Sequence, residues 1–281
     1  EAGTGNNDGR ISVITSQGEV YPVIEGFVSV FPPEEPNALG VYHLILKDHT
    51  LWVLNGVEGK LYWADLSSYH PGDTPLQPGD LASQDIAPFV LDYDFGDADT
   101  GESNPYNLTM GPDGDIYITD AAANAIIRRE AASGDLSVFA MLPNIPNPTQ
   151  VGPPTIDPVP TGIVYDGEKF LVSTLTGFPF LENESLIYEI DLDGNVSVYQ
   201  EGFTSLVDIT LGPDKRPVVL QYAVFGQGFG PMTGRITHAK GPEEEVILDK
   251  INYPLGIARK GLGTYYVTNS LDGIVQKITL Y

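Results

Sequence analysis

The chain has 281 residues, of which 38 are acidic and 14 are basic, so its formal net charge at pH 7 is −24. An acidic surface repels phosphate backbones, which argues against nucleic acid and anionic membranes as partners. The chain has no cysteine and no apolar run of about 18 residues, which excludes disulfides, thiol chemistry and a membrane-spanning helix.

A repeat runs through the sequence, and in each copy a short apolar strand ends at a polar residue. The five polar endings lie 47 to 65 residues apart and are Asn55, Asp120, Thr174, Gln221 and Asn269. A repeat of this length built from short strands is typical of the blades of a β-propeller. We therefore expect the polar endings to lie on one rim, around the central channel.

The predicted strands follow a regular order along the chain. An N-terminal hairpin comes first, over residues 10–14 and 20–24. Another strand begins 12 or 13 residues before each polar ending, and the two strands form a hairpin around a turn rich in Gly, Pro and Asp. These preceding strands are predicted at residues 43–46, 107–110, 162–165, 208–211 and 256–259.

A third strand follows each pair, and a fourth strand follows most of them. The third strands are predicted at residues 61–63, 126–128, 187–189, 236–238 and 275–277, and the fourth at residues 86–90, 136–139, 196–199 and 246–248. Four strands in a meander make one blade. No segment has a sustained helical period, so the fold is predicted to be all-β.

The two ends of the chain leave the number of blades open. The N-terminal hairpin has the character of third and fourth strands, and the last blade has no fourth strand before Tyr281. One upstream segment would supply the missing strands, including an outer strand that closes the last blade. We predict a six-bladed propeller, a single domain over residues 1–281, with Glu1 as the sixth polar ending. The alternative is five blades, in which the N-terminal hairpin completes the last one.

Several segments resemble one known family. They are Glu1-Ala2-Gly3-Thr4-Gly5, Ser103-Asn104-Pro105-Tyr106, Pro160-Thr161-Gly162, Leu175-Thr176-Gly177-Phe178-Pro179-Phe180 and Gly202-Phe203-Thr204-Ser205-Leu206-Val207-Asp208. Together they resemble the ScyD/ScyE family, and the resemblance covers essentially the whole chain. It implies an NHL-like propeller with no established catalytic residues. With the absence of cysteine and of an initiator Met, it predicts an exported protein, periplasmic or extracellular.

The polar endings suggest a metal site as one interpretation. Carboxylate and amide oxygens that converge on a channel mouth suit a hard cation such as Ca²⁺. The candidate ligands are Glu1, Asn55, Asp120, Asp208 and Asn269, with Asn107 nearby. Related propeller lactonases and esterases hold Ca²⁺ in such a mouth and use it to polarise a carbonyl. The other interpretation is that strand ends beside a wet channel are polar because water reaches them.

His43 begins the first predicted inner strand and is the weak candidate for a catalytic residue, as a general base or metal ligand. A lone histidine at a strand end is more often simply hydrogen-bonded. The other three histidines share no spacing with it, so a zinc site finds no support. The Gly-x-Ser-x-Gly pattern of a nucleophile elbow is absent.

Aromatic residues follow the second strands of two consecutive blades. Thr176, Phe178 and Phe180 leave one strand, and Phe225 and Phe229 occupy the equivalent loop of the next blade. Rigid exposed aromatics are typical of ligand and protein contact surfaces. They form either a pocket or lid, or a cover in which they pack against one another.

The sequence therefore favours an exported, non-catalytic propeller that binds a small molecule or a protein partner through its rim loops, with no certain cofactor. The alternative is a Ca²⁺-dependent lactonase or esterase with the metal at the channel mouth. These two functions differ in one requirement, because only the second needs the polar endings to hold an ion.

Overall fold

The computed structural model describes residues 4–32, 38–241 and 244–280. The chain opens with strands β1 (Thr4–Ile14) and β2 (Val20–Phe31), which pair antiparallel in a two-stranded sheet. Both strands are longer than the sequence predicted for the N-terminal hairpin. Glu1, the predicted sixth polar ending, lies outside the described residues.

The first blade consists of β3 (Val41–Lys47), β4 (Thr50–Asn55), β5 (Lys60–Asp65) and β6 (Ala82–Asp85), paired in that order. The strand predicted at residues 86–90 is wrong. Ile86 precedes a short helix, α1 (Ala87–Asp92), which has Pro88 in its first turn. Proline suits that position because the N–H it lacks would have no partner there. Ile86 and Val90, one turn apart, are both buried.

The other blades repeat this antiparallel order. The second blade contains β7 (Pro105–Met110), β8 (Ile116–Asp120), β9 (Ala125–Arg129) and β10 (Leu136–Met141), and a small hairpin of β11 (Ile145–Pro146) and β12 (Thr155–Ile156) follows it. The third blade contains β13 (Pro160–Tyr165), β14 (Phe170–Thr174), β15 (Ser185–Ile190) and β16 (Val196–Phe203), and the fourth contains β17 (Leu206–Leu211), β18 (Pro217–Gln221), β19 (Gly234–Ala239) and β20 (Glu244–Ile251). The fifth blade contains β21 (Pro254–Lys260), β22 (Thr264–Asn269) and β23 (Ile274–Thr279). The predicted first, second and third strands of all five blades are confirmed.

Within the described residues the chain is a β-propeller with five blades, four of four strands and one of three. The number of blades in the five-bladed alternative is confirmed, and the six-bladed prediction is wrong. The part of that alternative in which the N-terminal hairpin completes the last blade is not borne out, because the described sheet of that blade contains only β21, β22 and β23. A sixth blade required the N-terminal hairpin to form the third and fourth strands of a four-stranded sheet. Instead, β1 and β2 hydrogen-bond to each other over most of their length and form a two-stranded sheet of their own. No helix in the described part of the chain is long and apolar enough to cross a membrane.

Two compact units divide the chain, Glu1–Asn107 and Leu108–Tyr281. A single domain over residues 1–281 stays a prediction. In the second unit, alternate residues of a second strand pack on its two faces. Leu171 of β14 lies in a cluster with Val219 of β18, whereas Phe170 and Val172 pack with Tyr117 of β8. The two-residue period of the strand therefore places its sheet between both neighbouring blades.

Buried polar side chains also link the inner strands of the second unit. Thr119 Oγ1 donates to the carbonyl oxygen of Thr161 at 2.7 Å, and Thr161 Oγ1 lies 2.9 Å from the carbonyl oxygen of Leu206. Asp208 Oδ2 accepts from the backbone N–H of Ile257 at 2.7 Å. These bonds connect β8 to β13, β13 to β17 and β17 to β21.

Replacement of Thr161 by Val should lower the free energy of unfolding by about 1–3 kcal/mol, because the buried hydrogen-bond partners of the hydroxyl lose it while the shape is kept. Urea unfolding followed by circular dichroism measures the change. Thr210→Val is the matched control, since Thr210 makes no side-chain hydrogen bond among the described residues. Equal losses in the two variants would show that the Thr161 link does not stabilise the fold.

Candidate functional site

The polar endings predicted from the repeat are confirmed as strand ends. Each is the last residue of the second strand of its blade. All are at most 6% exposed, and they are Asn55, Asp120, Thr174, Gln221 and Asn269. Their burial means that any ligand they hold would have to reach below the loops of the rim.

Most of these side chains hold the turn that follows their own strand. Asp120 Oδ1 accepts from the backbone N–H of Ala123 at 3.0 Å, and Thr174 Oγ1 lies 2.9 Å from the backbone nitrogen of Leu186. Gln221 Nε2 donates to the carbonyl oxygen of Thr233 at 2.7 Å. Polar residues at these positions therefore have a structural role that needs no metal.

Asn55, in the first unit, is bonded through both ends of its amide. Its Nδ2 donates to Val28 O at 2.9 Å and to Glu58 Oε2 at 2.8 Å, and its Oδ1 accepts from Glu58 N–H at 3.2 Å. The amide joins the first blade to β2 and closes the turn after β4.

The remaining candidate ligands of the second unit differ from one another. Asp208 accepts from two backbone N–H groups, those of Ile209 at 2.8 Å and Ile257 at 2.7 Å. Asn269 Oδ1, by contrast, is buried without a hydrogen-bond partner among the described residues. Across residues 4–32, 38–241 and 244–280, no group of three or more His, Cys, Asp or Glu side chains is arranged to hold a metal ion.

Two further candidates lie in the first unit. Asn107, the predicted neighbour of the metal site, is buried in β7. His43 is partly buried in β3, where its Nδ1 lies 2.9 Å from the carbonyl oxygen of Tyr106. The imidazole also packs on the Tyr106 ring, with ring centroids 5.1 Å apart. These contacts fix the orientation of the ring from two sides.

The predicted aromatic residues form one contact group, which we call the aromatic rim cluster. Phe180 packs against Phe178, Phe225 and Phe229, with centroid distances of 6.3, 5.0 and 5.2 Å. Tyr222 joins through Phe229 at 5.2 Å, and Tyr253 joins through Tyr222 at 5.4 Å. The cluster thus consists of Phe178, Phe180, Tyr222, Phe225, Phe229 and Tyr253.

The loops under this cluster are held by backbone hydrogen bonds and by unusual backbone angles. Leu175 N–H donates to Val159 O at 3.0 Å, and Thr176 N–H donates to Pro158 O at 3.1 Å. Val159 and Thr176 have φ angles of 52° and 71°, a left-handed conformation that is rare for β-branched residues. Phe180, with φ of 55°, shares it.

The surface of the cluster is partly open. Phe178 is 52% exposed, whereas Phe180, Phe225 and Phe229 are partly buried. Gly152, with φ of 89°, lies against the Phe178 ring: a Cβ there would sit 3.2 Å from Phe178 Cδ1. The exposed Val151 beside it extends the apolar surface. Sequence reasoning missed Val151, Tyr222 and Tyr253, although both tyrosines occur where a strand meets a rim loop.

Thr176 also contributes a buried hydroxyl to this region. Thr176 Oγ1 and Ser205 Oγ have no hydrogen-bond partner among the described residues, and both residues are fully buried. Ser205 accepts through its carbonyl from the N–H of Tyr222 at 2.9 Å, which places it under the cluster. An unsatisfied buried polar group costs about 1–3 kcal/mol, so these two hydroxyl groups lower the free energy of unfolding.

A cavity that the sequence analysis did not predict lies elsewhere in the second unit. It is a cavity of about 310 Å³ lined by Pro213, Asp214, His238, Glu245, Ile247, Tyr265 and Leu280. His238 Nε2 lies 3.0 Å from Asp214 Oδ1, and a hydrogen bond from Lys240 holds the pKa of Glu245 below its usual range. Because these ionisable groups are paired with one another, the cavity offers less to a ligand than the aromatic rim cluster.

Comparison with known proteins establishes the fold. No family model and no curated protein matches the chain. A chain of a nidogen–laminin complex superposes with a TM-score of 0.58 at 13% identity, covering 98% of this chain and 88% of its own. The chain is a β-propeller. At these identities the likeness shows the fold alone.

Two enzymes of the same fold are also similar. An inactive variant of virginiamycin B lyase from Staphylococcus aureus, crystallised with quinupristin, has a TM-score of 0.51 at 15% identity, covering 98% of this propeller and 96% of the lyase. A candidate gluconolactonase has a TM-score of 0.52 at 14% identity, with coverages of 96% and 80%. The fold therefore occurs in a lyase and in a nidogen–laminin complex, so the fold alone does not show whether a chain is an enzyme.

Phe180→Leu should lower the free energy of unfolding by about 1–2 kcal/mol, because the ring contacts three others. Phe178→Leu should change it by less than about 0.5 kcal/mol, since half of that ring is exposed. Urea unfolding of both variants measures the difference. Equal effects would mean that Phe180 is not the centre of the cluster.

Proposed function

We propose that this protein is a non-catalytic binding module that holds a ligand or a protein partner at the aromatic rim cluster. One observation carries the proposal: loops of two consecutive blades bring Phe180, Phe225 and Phe229 into contact and leave Phe178 half exposed beside them. Rigid aromatic side chains supply a large contact area at low cost in conformational entropy, which is why they dominate binding hot spots.

The backbone of the rim supports the same role. Left-handed φ angles at Val159, Thr176 and Phe180 cost about 1–3 kcal/mol each, and such outliers concentrate at binding and active sites. Loops that are already held in one conformation lose little further entropy when a partner binds. Because these strained loops are already held in one conformation, they should bind a partner at this surface with little further loss of entropy.

An exported location and a kinship with the ScyD/ScyE family belong to this proposal. The absence of cysteine and the segment Leu175-Thr176-Gly177-Phe178-Pro179-Phe180 support them. That segment supplies two of the six rings of the aromatic rim cluster, so the part of the sequence that most resembles the family is also the part proposed to bind.

Phe178→Ala should remove partner binding and leave folding intact, because this ring is exposed. The immobilised protein and this variant are incubated with an extract of the producing organism, and bound molecules are compared by mass spectrometry. Leu262→Ala, at a residue that is 81% exposed outside the rim loops, is the control. The expected result is a bound species shared by the protein and the control and lost from the variant. Equal retention by all three proteins would contradict the proposal.

A Ca²⁺-dependent lactonase or esterase is the second candidate. It is supported by Asn269 Oδ1, an amide oxygen at a strand end that is buried without a partner in the described parts of the chain, and by the likeness to a candidate gluconolactonase. Asp120 and Asp208 would supply carboxylate oxygens, and Ca²⁺ would polarise the carbonyl of the substrate. Both carboxylates already accept backbone hydrogen bonds, which makes this candidate the weaker one.

Calorimetric titration of the metal-stripped protein with Ca²⁺ separates the two candidates. The binding-module proposal expects no heat and no shift in melting temperature. Binding of one ion per chain, abolished by Asp120→Ala and tightened by Asn269→Asp, would overturn it in favour of the hydrolase. Asn269→Asp adds a negative charge at the unpartnered oxygen, so it should strengthen any genuine cation site.

A further inference from the structure

The loops that carry the aromatic rim cluster have an unusual charge composition. Three loops, at residues 143–159, 175–184 and 222–233, carry or flank five of its rings, and the connection 252–253 carries Tyr253. None of these segments contains a lysine or an arginine. Their charged residues are Asp157, Glu182 and Glu184. The surface is therefore apolar at its centre and negative at its edge.

One of these acidic residues lies beside the exposed ring, and the other two follow the cluster along the chain. Gly177, next to Phe178, donates its N–H to Asp157 O at 2.8 Å, which brings the residue of one carboxylate beside the ring. Glu182 and Glu184 follow Phe180 in the same loop. Asp157 and Glu182 are exposed, and Glu184 is partly exposed.

Several carboxylates elsewhere in the second unit have cationic partners. Asp115 pairs with Arg128, Glu189 with Lys169, and Glu245 with Lys240. Glu182 and Glu184 make no ion pair and no side-chain hydrogen bond with any residue that the structure describes. They are available to a cation from outside the chain.

The first basic residue after the third loop does not fill this role. Burial raises the pKa of Glu244, and the positive charge of Arg235 opposes that rise. Arg235 therefore acts on a carboxyl group of its own blade, at the beginning of β20. The negative charge at the edge of the aromatic rim cluster is left without a cation from this loop.

We propose that the aromatic rim cluster docks a protein partner through an extended segment in which basic side chains alternate with apolar ones. This inference rests on the proposed function and names its partner. Apolar side chains would pack on Phe178 and Val151, and arginine or lysine would meet Glu182 and Glu184. A guanidinium can also stack on an aromatic ring, which favours arginine at such a surface. Because three loops contribute, a chain segment spans the surface better than a compact small molecule.

Fluorescence anisotropy with three labelled dodecapeptides tests this inference on the whole protein. The first peptide has three arginines alternating with three leucines in a glycine–serine background. The second replaces the arginines by glutamates, and the third replaces the leucines by alanines. We expect the first to bind most tightly, and its affinity to fall as salt is raised, because exposed charge contacts are screened.

Charge-matched variants separate a local effect from the net charge of the chain. The double variant Glu182→Gln/Glu184→Gln should weaken binding of the first peptide roughly fivefold, as expected for two exposed charge contacts. The control Glu168→Gln/Asp193→Asn removes two exposed carboxylates from turns of the same blade and should have almost no effect. If both double variants weaken binding equally, overall charge alone attracts the peptide and the inference falls.

The same peptides distinguish this inference from the proposed function. Phe178→Ala should weaken binding of the first peptide about tenfold, as for the loss of a central aromatic contact. If it does so but the glutamate peptide binds equally well, the partner is not basic, and only the inference is overturned. If Phe178→Ala changes the binding of none of the peptides, the aromatic rim cluster is not the docking surface and the proposed function falls as well.

Discussion

In the second unit, the side chains of β14 and β18 alternate between two apolar clusters, and every residue of these two strands is buried. A strand of this kind has no solvent face, because its sheet is covered on both sides by neighbouring blades. Hydroxyl groups such as that of Thr161 link the inner strands across the same contacts. The blade-to-blade packing therefore sets the position of every strand end.

The loops depend on this packing, because they begin where the strands end. The aromatic rim cluster begins directly after β14 and β18, whose last residues are locked by their own hydrogen bonds. The strained angles at Val159 and Thr176 are local costs, as is the Thr176 hydroxyl, which has no hydrogen-bond partner in the part of the chain that the structure describes. The packing of the blades can offset these costs, so the strained loops of the aromatic rim cluster keep one conformation.

The acidity of the chain is distributed in two ways. Within the blades of the second unit, carboxylates such as Asp115 and Glu189 are paired with basic residues and hold neighbouring strands together. At the edge of the aromatic rim cluster, Glu182 and Glu184 have no such partners among the described residues. A net charge of −24 alone says little about function, and the partner proposed above rests instead on carboxylates of the same loops as one exposed aromatic ring.

The sequence by itself determined the strands and their endings. Periodic apolar runs located the first three strands of each blade, and a polar residue ended each second strand at Asn55, Asp120, Thr174, Gln221 and Asn269, because both signals are local. The strand predicted at residues 86–90 failed because Pro88 and the pair Ile86 and Val90 suit a helical turn equally well. The number of blades also depended on pairing between strands, which a pattern along the chain does not contain.

Only the tertiary structure decided what the polar endings and the aromatics contact. Asp208 could be proposed as a metal ligand from its position, but its bond to Ile257 joins residues of two blades. Phe180 and Phe225 lie in different loops, and only the packing of one blade on the next brings their rings to 5.0 Å. Contacts between distant segments depend on the packing of the whole unit. The strands could therefore be predicted from the sequence, whereas the contacts of the site required the tertiary structure.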